Sequence, residues 1–146
     1  MNYQDMIVKN KEWIDGVWEK LDKKLSRTSV KSRDKIPYST KNGVHDSCTE
    51  GVLITNWTNG FWGGLMWLMY AGTKKDCYKL TAERSEELMD TCFTDYVDEL
   101  HHDVGFMWHI LSGANYRLTG NKRARNRNLL AAMTLMSRYN VDGNFI

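Results

Sequence analysis

Thr58-Asn59-Gly60-Phe61-Trp62-Gly63-Gly64-Leu65-Met66-Trp67-Leu68-Met69 is apolar on nearly every side of a helical wheel. A helix of that kind cannot face water along its length, so the stretch predicts a buried helix, closed by Tyr70-Ala71-Gly72-Thr73. Lys75-Asp76 follow, and the pattern turns amphipathic from about Asp76 to Leu100, with Tyr78, Leu80, Ala82, Leu88, Met89, Cys92, Phe93 and Tyr96 on the apolar side. The same order then repeats. Val104 to Leu118 is again apolar on most sides and runs into Tyr116-Arg117-Leu118-Thr119. Gly120-Asn121 and a second amphipathic helix follow, from about Lys122 to Tyr139, carrying Ala124, Leu129, Leu130, Met133 and Met136. Tyr70 and Tyr116 stand 46 positions apart. A buried helix paired twice with an amphipathic one predicts stacked helical hairpins, the buried helices inside and the amphipathic ones toward water. Periodicity alone equally allows a helix bundle whose turns look alike.

Upstream, Met6, Ile7, Trp13, Ile14, Val17, Trp18, Leu21 and Leu25 recur at helical intervals and predict one first helix with a single buried face. From Ser26 to Asn56 the pattern dissolves around the only proline, Pro37, with Gly43, Gly51 and many small polar residues. A connection of that length is often functional, and a long loop with a short strand or two is expected to wall a cleft. Val141 to Ile146 reads as an extended tail. The prediction is an all-α fold of about five helices.

At 146 residues with 42% hydrophobic side chains, the chain can build one core. A net charge of +2 is too weak for a nucleic-acid binder, and the one basic cluster, Lys122, Arg123, Arg125 and Arg127, reads as a solvated helix face. No apolar run reaches the ~18 residues of a membrane span, and Met1 to Lys11 lacks the apolar stretch of a signal peptide. Cys48, Cys77 and Cys92 form no paired motif, which suits reduced thiols and a cytoplasmic location. Six Trp and seven Tyr against four Phe favour rings with a polar edge, as a sugar cleft requires.

Two segments suit chemistry better than plain packing. In Asn56-Trp57-Thr58-Asn59-Gly60-Phe61-Trp62-Gly63-Gly64, two Trp and a Phe cluster at a helix start, and three glycines in five positions point to close backbone approach. The rings can form a platform for a ligand ring, with helix N–H groups nearby for an anion, or they can simply plug the core beside a turn. In His101-His102-Asp103-Val104-Gly105-Phe106-Met107-Trp108, Asp103 stands at the mouth of a buried helix. There it either caps the helix or offers a carboxylate for proton transfer. His45-Asp46, in the long loop, can reach the same cleft. No metal is expected, because His101, His102 and Asp103 lack helix-spaced ligand positions and the cysteines add no set. No cofactor motif is present.

The segments Asn56 to Leu68, His101 to Trp108 and Ser112-Gly113-Ala114-Asn115-Tyr116-Arg117-Leu118-Thr119-Gly120, with Ile36-Pro37-Tyr38 before them, resemble the unsaturated glucuronyl hydrolases, glycoside hydrolase family 88. The resemblance implies an (α/α)6 barrel, a toroid of six helical hairpins, of which residues 1–146 would form an amino-terminal, truncated part. It implies removal of a Δ4,5-unsaturated uronic acid from the non-reducing end of lyase-generated oligosaccharides such as glycosaminoglycan fragments. The implied route is vinyl-ether hydration, without cofactor, nucleic acid or membrane. Asp103 matches the first of two family aspartates and His102 a site-lining histidine. Trp57, Phe61 and Trp62 fall in the aromatic segment lining the sugar subsite, and Asn59, which the resemblance also makes a substrate-binding residue, stands where relatives carry an acidic residue as well. The second aspartate has no match before Ile146, so the chain alone is expected to be inactive. A non-catalytic helical module that binds sugars or proteins is the alternative.

Overall fold

The structure, a computed structural model, describes residues 2–146 and is helical throughout its core. α1 (Tyr3–Lys9) and α2 (Lys11–Lys31) precede a long connection, and α3 (Asn59–Thr73) pairs with α4 (Asp76–Leu88). The single turn α5 (Thr91–Thr94) leads through a 3-10 turn (Val97–Glu99) to α6 (Val104–His109). α7 (Ser112–Thr119) and α8 (Lys122–Met136) form the second hairpin.

The buried-then-amphipathic repeat is real at atomic detail. At the end of α3, Lys74 takes the left-handed conformation (φ 58°), and its N–H donates to the Tyr70 carbonyl. At the end of α7, Gly120 does the same (φ 73°), with its N–H on the Tyr116 carbonyl. Thr73 and Thr119 each donate a hydroxyl one turn back, to the carbonyls of Met69 and Asn115, and accept from the backbone N–H two residues on. The chain therefore reverses twice with one chemistry.

What lets the two hairpins meet is the glycine trio of α3. A Cβ on Gly60 would lie 2.1 Å from the Met107 carbonyl oxygen, and one on Gly63 would lie 2.1 Å from Leu111 Cδ1. One on Gly64 would stand 3.1 Å from the Ile110 carbonyl oxygen. Spaced by three and one, these residues share a helix face and admit the backbone of α6 and the start of α7 at near contact. Met66, Trp67, Met69, Tyr78, Ala82, Met107, Trp108 and Leu111 fill the space around that crossing, all under 2% exposed.

Three expected helices divide. Instead of one helix with a single buried face over Met6 to Leu25, α1 and α2 meet at Asn10, whose side chain donates to the Met6 carbonyl. α2 also continues to Lys31 instead of ending in a loop at Ser26, because Thr28 and Ser29 turn their hydroxyls back onto helix carbonyls. Of its expected core residues only Leu25 is buried, while Trp13 is 70% exposed. α2 is fastened by polar contacts to α4: Tyr78 Oη and Lys75 Nζ donate to the Asp22 carboxylate, and Thr81 Oγ1 donates to the Ser29 carbonyl. The expected helix from Asp76 to Leu100 ends at Leu88, where Asp90 is drawn aside by an arginine described below. The expected helix from Val104 to Leu118 breaks at Leu111 (ψ −86°), whose side chain drops into the space over Gly63.

The basic cluster is not wholly a solvated face. Arg127 is buried, because α8 packs on α6 and α7 with Ala124, Arg127 and Ala131 turned inward, while Leu129, Leu130, Met133 and Met136 stay exposed. Its guanidinium grips Asp90 with two hydrogen bonds of 2.6 Å and donates to Glu86 Oε2 at 3.1 Å. Glu86 is fully buried and also accepts from Ser112 Oγ (3.1 Å) and Asn115 Nδ2 (2.7 Å), so one carboxylate joins α4, α7 and α8. Burial pushes its carboxyl above the ordinary range, while Asn115, Arg127 and Ser112 pull the other way.

The long connection contains the short strands expected of it: β1 (Thr40–Lys41) and β2 (Val44–His45), antiparallel, turning on Asn42-Gly43 with positive φ at both residues. A 3-10 turn over Gly51–Thr55 leads back to α3. The tail closes a bridge between Asn140 and Phe145. Among the described residues no helix is long and apolar enough to cross a membrane, and Cys48, Cys77 and Cys92 are free thiols.

Candidate active site

Where α6 begins, the sequence puts His101-His102-Asp103 outside the helix and Val104 inside it. Asp103 occupies the capping position, but its backbone is already helical (φ −78°, ψ 0°) and its side chain caps nothing. The capping reading is thereby removed. The carboxylate turns instead toward its two neighbours, Oδ2 lying 3.3 Å from His101 Nδ1 and 3.6 Å from His102 Nε2. The Asp103 side chain is 22% exposed, that of His102 74%. A partly sheltered carboxylate with solvent on one side suits proton transfer to a bound molecule.

One turn on, Phe106 donates its N–H to the Asp103 carbonyl and stands half exposed. Trp57, in the turn before α3, meets Phe106 edge-on at 6.5 Å between ring centres and Phe61 at 5.8 Å. All three rings remain about half open to solvent. The glycine crossing of α3 and α6 thus brings two distant aromatic segments into one shelf, with Asp103 one turn from its edge. Such a shelf fits the apolar face of a sugar ring, and a nearby carboxylate fits its hydroxylated rim. Phe106 also lines, with His102, His109 and Ile110, a hollow of about 440 Å³ whose other wall is Ala131, Ala132 and Leu135 of α8.

The residues singled out by sequence divide between this surface and its backing. Asp103, His102, Trp57 and Phe61 lie at the surface. Trp62 is buried, with its ring edge-on to His45 at 6.0 Å, and Asn59 is 1% exposed. The Asn59 amide donates to the carbonyls of Cys48 (3.2 Å), Leu53 (3.0 Å) and Ile54 (2.8 Å). It clamps the end of the long connection behind Trp57. A carboxylate at that position has no N–H to give, so the amide suits this loop. His45 and Asp46 brace the same connection: Asp46 accepts from Tyr38 N, Ser39 N and Ser39 Oγ, bonds that hold its carboxyl below the usual range. Phe106 and His101 were not among the sequence candidates. Their one sequence signal was membership of the His101 to Trp108 segment.

No family model matches the chain. In sequence it is 31% identical over 123 residues to the unsaturated glucuronyl hydrolase of a Bacillus species, a match covering 83% of this chain and 31% of that protein. It is 37% identical over 92 residues to the unsaturated chondroitin disaccharide hydrolase of Streptococcus pneumoniae, covering 63% of this chain and 23% of that one. In structure it matches the crystal structure of the Bacillus enzyme with a TM-score of 0.66 and 26% identity, over 84% of this chain and 33% of that chain. It matches that of Streptococcus agalactiae unsaturated glucuronyl hydrolase with a TM-score of 0.61 and 28% identity, over 81% and 31%. The chain spans about a third or less of the length of these relatives. It is similar to the unsaturated glucuronyl hydrolases in both sequence and fold, and its all-α hairpins match a part of their (α/α)6 barrel.

Proposed function

We propose that this chain carries the sugar shelf and one of two proton-handling carboxylates of a hydrolase that removes Δ4,5-unsaturated uronic acid from lyase-generated oligosaccharides. One observation bears the most weight: Asp103 sits at a helix mouth without capping it, its carboxylate left for chemistry one turn from the ring that touches Trp57. In this reading the uronate ring lies on Trp57, flanked by Phe61 and Phe106, and His102 reaches its polar rim. Trp62 and Asn59 act from behind, fixing the shelf.

The chemistry starts at the C4–C5 double bond, made electron-rich by the ring oxygen. A proton adds to C4 and a water oxygen to C5, giving a hemiketal. The C5–ring-oxygen bond then breaks to leave a ketone, and the freed oxygen leaves C1 as an aldehyde while the aglycone departs as an alcohol. Asp103 is assigned the handling of a proton at the substrate, and a second carboxylate, unmatched in this chain, shares the acid and base work. The substrate is an unsaturated glycosaminoglycan-type fragment, as the names of the relatives suggest. The three free thiols favour a reducing, cytoplasmic setting.

A chimera tests this. Replacing the aligned third of the Bacillus relative with this chain supplies the remaining helices. The chimera is expected to consume an unsaturated chondroitin disaccharide, read as loss of its ultraviolet absorbance. Asp103→Asn in the chimera is expected to cut the rate by roughly 100-fold or more, the scale of lost acid–base catalysis. A cooperatively folded chimera without activity, or one indifferent to Asp103→Asn, overturns the reading.

A further inference from the structure

The three donors at the mouth of α6 converge although sequence spacing gave no reason to expect it. One ligand atom each from His101, His102 and Asp103 lies within 4.8 Å of the other two. Helical spacing is irrelevant here because both histidines precede the helix, where the chain turns sharply enough to fold consecutive side chains together. We propose that His101, His102 and Asp103 form a binding site for a divalent transition-metal ion, best matched by zinc, and that the bound ion inhibits by occupying the Asp103 carboxylate.

The distances fit. Zinc holds nitrogen and oxygen donors at about 2.0–2.1 Å, so two donors of a tetrahedral shell stand roughly 3.3–3.4 Å apart. His101 Nδ1 is 3.3 Å from Asp103 Oδ2, already at that spacing, and His102 Nε2 is 3.6 Å away. The His102 side chain is 74% exposed, free to swing the remaining few tenths. His101 Nδ1 also accepts the Asp103 N–H at 3.3 Å, a long contact that the ion displaces. Two imidazoles and one carboxylate select zinc, copper or nickel over magnesium and calcium, which prefer all-oxygen sets. The exposure of His102 leaves a fourth position to water. Among the described residues the one carboxylate paired with either ring is Asp103 itself, so none stands behind them to raise their basicity, and the site is expected to be of micromolar and not structural affinity. Inhibition follows if Asp103 works as proposed above, and that half of the claim rests on that reading. Binding does not.

Titration calorimetry of the whole chain with zinc chloride, without sugar, tests binding by itself. One zinc per chain is expected, with no comparable response to magnesium. His102→Ala, at an exposed position unimportant for folding, and His101→Ala are each expected to weaken binding at least about tenfold. Cys77→Ser is expected to leave it unchanged, separating the site from the half-buried thiol. No saturable zinc binding, or binding indifferent to both histidine variants, overturns the site. In the chimera, saturating zinc is expected to suppress turnover reversibly on chelation. Turnover that persists with zinc bound overturns the inhibition while leaving the site standing.

Discussion

Asn59 shows how one side chain can govern a surface that it never touches. Its amide holds three carbonyls of the connection that ends at Trp57, and it is sealed from water. Asn59→Ala leaves those acceptors buried and unpaired, and a loss of about 2–3 kcal/mol is expected in urea unfolding, since each such group costs about 1–3 kcal/mol. Unchanged stability would show that the clamp is dispensable. The resemblance put Asn59 among the substrate-binding residues, because the carbonyls it serves, up to eleven residues away, are invisible in sequence. Asp103 was legible as a position but not as a conformation. Whether it capped α6 depended on its ψ and on its histidine neighbours, neither of which periodicity encodes.

At the scale of elements, the crossing of α3 with α6 builds the shelf, and glycine makes the crossing. Gly60→Ala adds a methyl carbon where the Met107 carbonyl already stands, an overlap that backbone must relieve. Alanine's better helix propensity, worth about 1 kcal/mol, is outweighed by overpacking of about 1–3 kcal/mol or more. The variant is expected to melt lower and to separate Trp57 from Phe106; a rise in Tm would contradict the close approach. The glycine trio and the places of both helix ends were legible, because glycines and Tyr-x-x-Thr turns carry local meaning, whereas the left-handed turn at Lys74 was not. The breaks at Leu88 and Leu111 were not. They contain neither glycine nor proline, and they arise from Asp90 answering Arg127 and from Leu111 filling the space over Gly63, both long-range events.

Over the whole molecule, helices are tied by charge as much as by grease. The Glu86–Arg127–Asp90 cluster was missed because four basic residues in six positions read as a solvated face, and the carboxylates that bury one of them come from in and just after α4, about forty residues upstream. Asp22 is the simpler tie, between α2 and α4. Hydrogen bonds from Lys75 and then Tyr78 hold its carboxyl below the ordinary value of 3.8. A lowered folded value means the tie is complete above the usual carboxylate range and is lost as pH falls through that lowered value. The stability gap between wild type and Asp22→Asn is therefore expected to be present at neutral pH and to narrow in acid; a gap that widens would reverse the assignment. The pairing of hairpins was readable from the apolar and amphipathic alternation, whereas the aromatic shelf needed the crossing itself. Its role can be examined by backbone and indole NMR of the whole chain during titration with an unsaturated chondroitin disaccharide. Saturable shifts are expected at the Trp57 indole N–H, at Phe106 and at Asp103, and loss of them in Trp57→Ala. No saturable shifts, or shifts confined to residues away from α6 and the start of α3, would contradict the sugar-binding role of this surface.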